Sequence, residues 1–134
     1  MAKVSDIEGI GPVNEGKLNE AGIKSVDGLL KACCDKKGRA AVAGKTGISE
    51  SQLLEWANMA DLYRINGVGS EFSELLKAAG VDTVKELRTR NADNLYAKIV
   101  EVNLRKSLTR VVPGLSKVEN FIEQAKTLDP MITH

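Results

Sequence analysis

The sequence predicts an all-α protein in which two tandem repeats pack as one compact helical body, and three observations lead there. A segment near the start returns 58 positions later. Ile7-Glu8-Gly9-Ile10-Gly11, Leu18, Ala21-Gly22-Ile23, Ser25-Val26 and Leu29 recur, class for class, as Ile65-Asn66-Gly67-Val68-Gly69, Leu76, Ala79-Gly80-Val81, Thr83-Val84 and Leu87. Helix-start signals stand at four places, Ser5 with Glu8, Ser49 with Gln52, Thr83 with Glu86 and Ser116 with Glu119. In each pair a hydroxyl and a side chain three residues on can satisfy orphan amides reciprocally. After the last three signals, apolar residues follow at spacings of three and four. No stretch alternates long enough to require a strand, and Ile99–Val102 and Val111-Val112 are only short β-branched runs.

In chain order, a short turn falls near 5–8, then helices near 12–21, 26–34, 37–46 and 50–63. The second copy follows with helices near 70–79, 84–89, 92–102, 104–111 and 116–128. Gly22 and Gly80, each after an alanine, are placed to close a helix in the left-handed conformation. Leu53, Trp56, Ala57 and Ala60 match Val118, Phe121, Ile122 and Ala125 at a separation of 65, so the second copy holds extra residues between Arg90 and Leu115. The repeats are therefore drawn as 1–64 and 65–134, the second with an insertion near 91–115. No linker rich in Pro, Gly or Ser separates them, which predicts that they pack together. Pro130 stops the last helix, since proline lacks the amide and clashes with the preceding turn.

Composition narrows the function. At 134 residues, 43% hydrophobic and 28% charged, the chain reads as a globular protein, with no apolar run long enough for a membrane span. Nineteen basic and eighteen acidic residues leave a net charge of +1, so any binding of nucleic acid must come from local patches rather than an overall field. The five aromatics, Trp56, Tyr63, Phe72, Tyr96 and Phe121, are too few and too helix-spaced for a base-stacking platform. The start Met1-Ala2-Lys3-Val4-Ser5 has no signal-peptide pattern, which predicts a cytoplasmic protein. Cys33 and Cys34 are adjacent, a strained geometry for a disulfide, and Cys33 continues the helical series Val26, Leu29, Leu30 as a buried hydrophobe.

The segments Ile7-Glu-Gly-Ile-Gly-Pro-Val-Asn-Glu-Gly-Lys-Leu18 and Ile65-Asn-Gly-Val-Gly-Ser-Glu-Phe-Ser-Glu-Leu-Leu76 resemble the helix-hairpin-helix motif, in which hydrophobic-Gly-hydrophobic-Gly joins two helices. The resemblance implies that the glycines let the hairpin turn tightly and that amides at the start of the following helix point at one DNA phosphate. Unpaired amides and the macrodipole make a helix amino terminus favourable for anions. On that resemblance the candidate nucleic-acid contacts are Gly9, Ile10, Gly11 and Val13, with Gly67, Gly69 and Glu71 in the second copy. Such contacts hold backbone, DNA or RNA, without reading bases. The whole pattern, with the helix at Trp56-Ala-Asn-Met-Ala-Asp-Leu62, is also similar to an uncharacterised bacterial family of tandem helix-hairpin-helix-like proteins.

The sequence departs from the DNA-binding form where many members carry Lys or Arg after the second glycine. Here the residues are Pro12-Val13-Asn14-Glu15 and Ser70-Glu71-Phe72-Ser73-Glu74. Glu71 and Glu74 beside a phosphate are repulsive, so the glycines of the second copy read more simply as closing an interhelical turn. Basic residues cluster in both repeats: Lys24, Lys31, Lys36, Lys37, Arg39 and Lys45 in the first, and Lys85, Arg88, Arg90, Lys98, Arg105, Lys106, Arg110 and Lys117 in the second. Either they line a phosphate-binding face or they are a solvated helix surface.

Other motifs yield less. Arg39–Trp56 resembles a helix-turn-helix, with Ala43 inside, Gly47 turning, and Leu53 and Trp56 on the second helix. Glu50 and Glu55 on that helix oppose a polyanion, so it reads as a packing unit. Gly38 to Thr46 approaches a phosphate-cradling loop, but five residues separate its glycines and no strand precedes it. His134 is the only histidine, which leaves no Ser-His-Asp, Cys-His or histidine-metal arrangement. The expectation is no enzyme and no cofactor. The leading function is noncatalytic, nonsequence-specific binding of duplex backbone at Gly9-Ile10-Gly11, assisted by Lys36, Lys37, Arg39 and Lys45. The competing one is a protein-interaction or assembly module that binds no nucleic acid.

Overall fold

Each element of the computed structural model, which describes residues 2–134, follows from a local cause. A 3₁₀ turn, Val4–Asp6, opens the described chain. Its cap differs from the expected Ser5 and Glu8 pair: the Lys3 amide donates to Asp6 Oδ2 at 3.0 Å. Helix α1, Pro12–Glu20, begins on proline at its first position, where the missing amide costs nothing and φ is already helical. It ends at Gly22, φ +86°, with the Gly22 amide donating to the Asn19 carbonyl and the Ile23 amide to the Leu18 carbonyl. This pair of bonds is a Schellman closure. Helix α2, Val26–Cys33, is capped by Ser25 Oγ, which accepts from the Gly28 amide at 2.9 Å. Helix α3, Lys36–Thr46, is capped by Asp35, whose Oδ1 accepts from the Gly38 amide at 2.7 Å. Gly47, φ +76°, closes α3, and Ser49 caps α4, Glu50–Leu62.

Helix α5, Ser70–Ala78, closes as α1 does: Gly80 has φ +94°, its amide donates to Lys77 and the Val81 amide to Leu76. Thr83 caps the short α6, Val84–Leu87, and Asn91 caps α7, Ala92–Lys106. Here the expectation of two helices fails. α7 runs on to Lys106 and stops at Ser107 in the left-handed conformation, φ 51°, and the helix expected over 104–111 is absent. The Asn103 side chain supplies the alternative, donating from Nδ2 to the Thr109 carbonyl and accepting the Thr109 amide at Oδ1, both at 3.0 Å. Helix α8, Leu115–Thr127, starts one residue before the expected Ser116, with Gly114 as its cap. Among the described residues there are eight α-helices and no strand, only an isolated bridge between Lys3 and Ser25, so the class is all-α.

Contacts divide the chain into two units. One holds residues up to Asp61 with Met131–His134; the other is Leu62–Pro130. The first buries Val4, Ile7, Ile10, Leu18, Leu29, Leu30, Leu53 and Trp56 among others. The second is built on Leu62, Ile65, Leu75, Leu76, Leu87, Leu95, Ile99, Val118 and Phe121. The last four residues, placed with the second repeat in the sequence reading, sit with the first unit for a physical reason. The Thr133 amide donates to the Cys34 carbonyl at 2.8 Å, Arg39 Nη2 donates to the Thr133 carbonyl at 2.6 Å, and Ile132 is buried.

Candidate nucleic-acid interface

Each hairpin is a tight turn entered from a buried isoleucine. In the first, the Ile10 amide donates to the Ile7 carbonyl at 3.2 Å around Gly9, φ +97°. In the second, the Val68 amide donates to Ile65 at 3.1 Å around Gly67, also φ +97°. A positive φ at the third position of a turn favours glycine, so Gly9 and Gly67 have a conformational reason. A Cβ at Gly67 would also crowd Phe121 Cε1 at 3.2 Å, whereas at Gly9 it would make only ordinary contact, 3.6 Å from Trp56 Nε1.

Gly11 and Gly69 are different. Both are extended, with φ −83° and −121°, and a Cβ at either would meet nothing within 4 Å. Gly11 caps α1 without a side chain. Among the described residues, the Gly11, Val13 and Asn14 amides have no protein acceptor, whereas Glu15 already donates to the Gly11 carbonyl. Gly9, Gly11 and Val13 are exposed, Val13 at 72%. Ile10 is a correction as a contact residue, because its side chain is buried and its amide is spent inside the turn.

At the second hairpin the Gly69, Glu71 and Phe72 amides likewise have no protein acceptor among the described residues, and side chains of the same unit brace the loop. Glu71, in the first turn of α5, holds Oε2 at 2.7 Å from the Thr109 hydroxyl. Gln124 of α8 grips the loop from the other side, accepting the Asn66 amide at 2.8 Å and donating to the Asn66 carbonyl at 3.1 Å. Sequence reasoning missed this clamp, since the first copy has Met59 at the matching position and offers no analogue.

The basic residues separate by environment. Lys36, Lys37 and Lys45 are exposed and, among the described residues, unpaired. At about 100° per residue they fan across the solvent half of α3. Arg39 is a second correction. It is 3% exposed, and its guanidinium donates to the Cys33 carbonyl at 3.0 Å and to the Thr133 carbonyl, so it holds the tail and has no face for a phosphate. In the second cluster Arg90 reaches the Gly80 and Ala79 carbonyls and Glu86, while Lys98 and Arg105 pair with Glu101. Lys85, Lys106, Arg110 and Lys117 have no ion pair among the described residues.

Cys33 and Cys34 are free thiols. Burial pushes the Cys33 thiol up to about 11, with Arg39 opposing the shift and Cys34 adding to it. No helix is long and apolar enough to cross a membrane, among the described residues. Within Arg39–Trp56, Leu53 and Trp56 are buried, Ala43 is half-buried, and Glu50 and Glu55 are exposed.

These features define a helical protein with two glycine hairpins, whose helix starts at Gly11 and Gly69 both lack a side-chain cap. The chain belongs to the family described as Domain of unknown function (DUF4332), which matches residues 8–128. No curated protein and no solved structure matches it.

Proposed function

We propose that the chain is a noncatalytic, nonsequence-specific binder of nucleic-acid backbone that acts through the first of two helix-hairpin-helix-like units. A duplex phosphate sits on the amino end of α1, at the amides of Gly11 and Val13. Gly11 carries this reading. Neither its φ nor its packing requires glycine, and Ser, Asn or Asp would cap the helix as well or better. What glycine leaves is an exposed helix start whose amides are free for an anion. Lys36, Lys37 and Lys45 in the same unit add salt-sensitive attraction. The second hairpin is disfavoured for this role because Glu71, in the first turn of α5, and Glu74, three residues on, repel a phosphate. A reducing, cytoplasmic setting fits two free cysteines.

The test is fluorescence anisotropy with labelled random-sequence DNA and RNA duplexes at low and moderate salt, comparing the native chain with Gly11→Ser. A serine hydroxyl would accept the Val13 or Asn14 amide, so melting is unchanged or raised while duplex affinity falls by about tenfold, as for loss of a charge-assisted contact. Equal binding by the variant overturns the site. No binding by the native chain at about 100 micromolar, the weak end for nonspecific contact, overturns the function.

A further inference from the structure

We propose that Asn66, in the second hairpin, is a latent deamidation site held closed by Gln124 of α8. Asn66 is followed by Gly67, so no side chain shields the backbone nitrogen that would attack the asparagine amide. Both residues are exposed, and among the described residues neither the Asn66 side chain nor the Gly67 amide has a hydrogen-bond partner. In the reaction the Gly67 nitrogen bonds to Asn66 Cγ and gives up its proton to solvent. The Cγ–Nδ2 bond breaks, and Nδ2 leaves as ammonia with a proton taken from water. A second water then opens the succinimide ring at either carbonyl, leaving aspartate or isoaspartate.

The folded turn denies this attack its geometry. The Val68 amide donates to the Ile65 carbonyl, Gly67 has φ +97° and Asn66 is not in the positive-φ region, which makes Ile65–Val68 a type II turn. The second residue of such a turn has ψ of about +120°, which points the Gly67 nitrogen away from Asn66 Cβ. Ring closure needs that nitrogen beside Cβ, so the Asn66 Cα–C bond has to rotate. The same rotation swings the Asn66 carbonyl, and Gln124 Nε2 holds that carbonyl at 3.1 Å while Gln124 Oε1 holds the Asn66 amide at 2.8 Å. A third bond, from Nε2 to Asn120 Oδ1 at 2.8 Å, ties the clamp to its own helix.

The first hairpin shows that the turn itself does not require a clamp. Gly9 has the same φ of +97° and the Ile10 amide reaches the Ile7 carbonyl at 3.2 Å, yet Met59 stands at the position that matches Gln124. The residue before Gly9 is Glu8, a carboxylate with no ammonia to lose. Clamp and labile amide therefore occur together, in the second copy alone.

The native full chain and the variants Glu8→Asn, Gln124→Met and Leu95→Ala are incubated at mildly alkaline pH, below their melting temperatures. Conversion is followed position by position with peptide-mapping mass spectrometry and isoaspartyl methyltransferase labelling. Glu8→Asn sets an asparagine before glycine in the same turn without a clamp, at an exposed position. Position 8 of that variant should convert about tenfold or more faster than its own Asn66, the factor in rate that two hydrogen bonds of ordinary net strength supply. Gln124→Met, which carries the first copy's residue, should accelerate Asn66 by a similar factor, whereas Leu95→Ala, a core truncation in the same unit, should not. Conversion at position 8 no faster than at Asn66 overturns the proposal, as does a native Asn66 that reacts as fast as in the urea-unfolded chain. It is also overturned if Gln124→Met leaves the rate unchanged, or if Leu95→Ala accelerates Asn66 as much, which would make Gln124 a stabiliser and nothing more.

Discussion

Gly38 and Gly44 lie six residues apart in one helix, and opposite physics governs them. A Cβ on Gly38 would collide with the Ala32 carbonyl oxygen, because α3 starts hard against the end of α2. Gly38→Ala should therefore destabilise the chain by about 1–3 kcal/mol, the range for overpacking. Gly44 has nothing within 4 Å of the added carbon and lies inside α3, so Gly44→Ala should stabilise by about 1 kcal/mol. Urea midpoints should move in opposite directions, and a shared direction would refute the contrast. Cys33 gives a pH prediction of the same locality. Its folded value of about 11 stands above the ordinary 9.0, so the folded state holds the proton more tightly than the unfolded state. Stability from this group is intact below pH 9 and falls as pH rises from 9 through 11. Cys33→Ser should flatten that alkaline loss in a series of melts. At pH 8 a thiol reagent should modify the half-buried Cys34 before Cys33, which is buried and held protonated.

At the scale of elements, what was legible was local. Ala-Gly-Ile and Ala-Gly-Val told where α1 and α5 stop because a Schellman closure needs only one left-handed residue and two backbone bonds. Ser49 and Thr83 were readable as caps for the same reason. Ser25, Asp35 and Asn91 cap as well, but none has Glu or Gln three residues on, so a search for reciprocal pairs passes over them. The misread segment is instructive. Leu104, Leu108 and Val111 repeat at helical spacing, yet Leu104 and Val111 face solvent and only Leu108 packs on the core. The pattern was there without the burial that gives such a pattern its force. What decided the conformation was one side chain, Asn103, satisfying both backbone groups of Thr109. Asn103→Ala should cost about 1–2 kcal/mol by leaving those groups to water. Amide hydrogen exchange should accelerate at Thr109 while Leu95 and Ile99 stay protected; uniform acceleration would mean that the clamp supports the whole unit instead. The candidate site was legible only in part. The glycine hairpins are local signals, but the burial of Arg39 depends on a tail 94 positions away, which no spacing announces.

Over the whole molecule, charge is divided without being concentrated. The first unit carries eight basic and nine acidic residues, and the second eleven and nine. Neither creates a field that gathers polyanions from a distance, so backbone binding at the first hairpin has to come from a few groups close to the phosphates. The salt dependence then counts them. With Lys36, Lys37 and Lys45 each neutralising one phosphate, the slope of log affinity against log salt should be about −2.7, at −0.9 per contact on duplex DNA. Lys36→Glu/Lys37→Glu should reduce its magnitude by about 1.8. Arg39→Ala separates charge from architecture. It removes a cation whose donors are all spent inside the protein, so it should lower stability while leaving the salt slope where it was. A slope reduced by Arg39→Ala, measured where the variant is still folded, would place the guanidinium at the phosphates and require the tail to leave it when duplex binds.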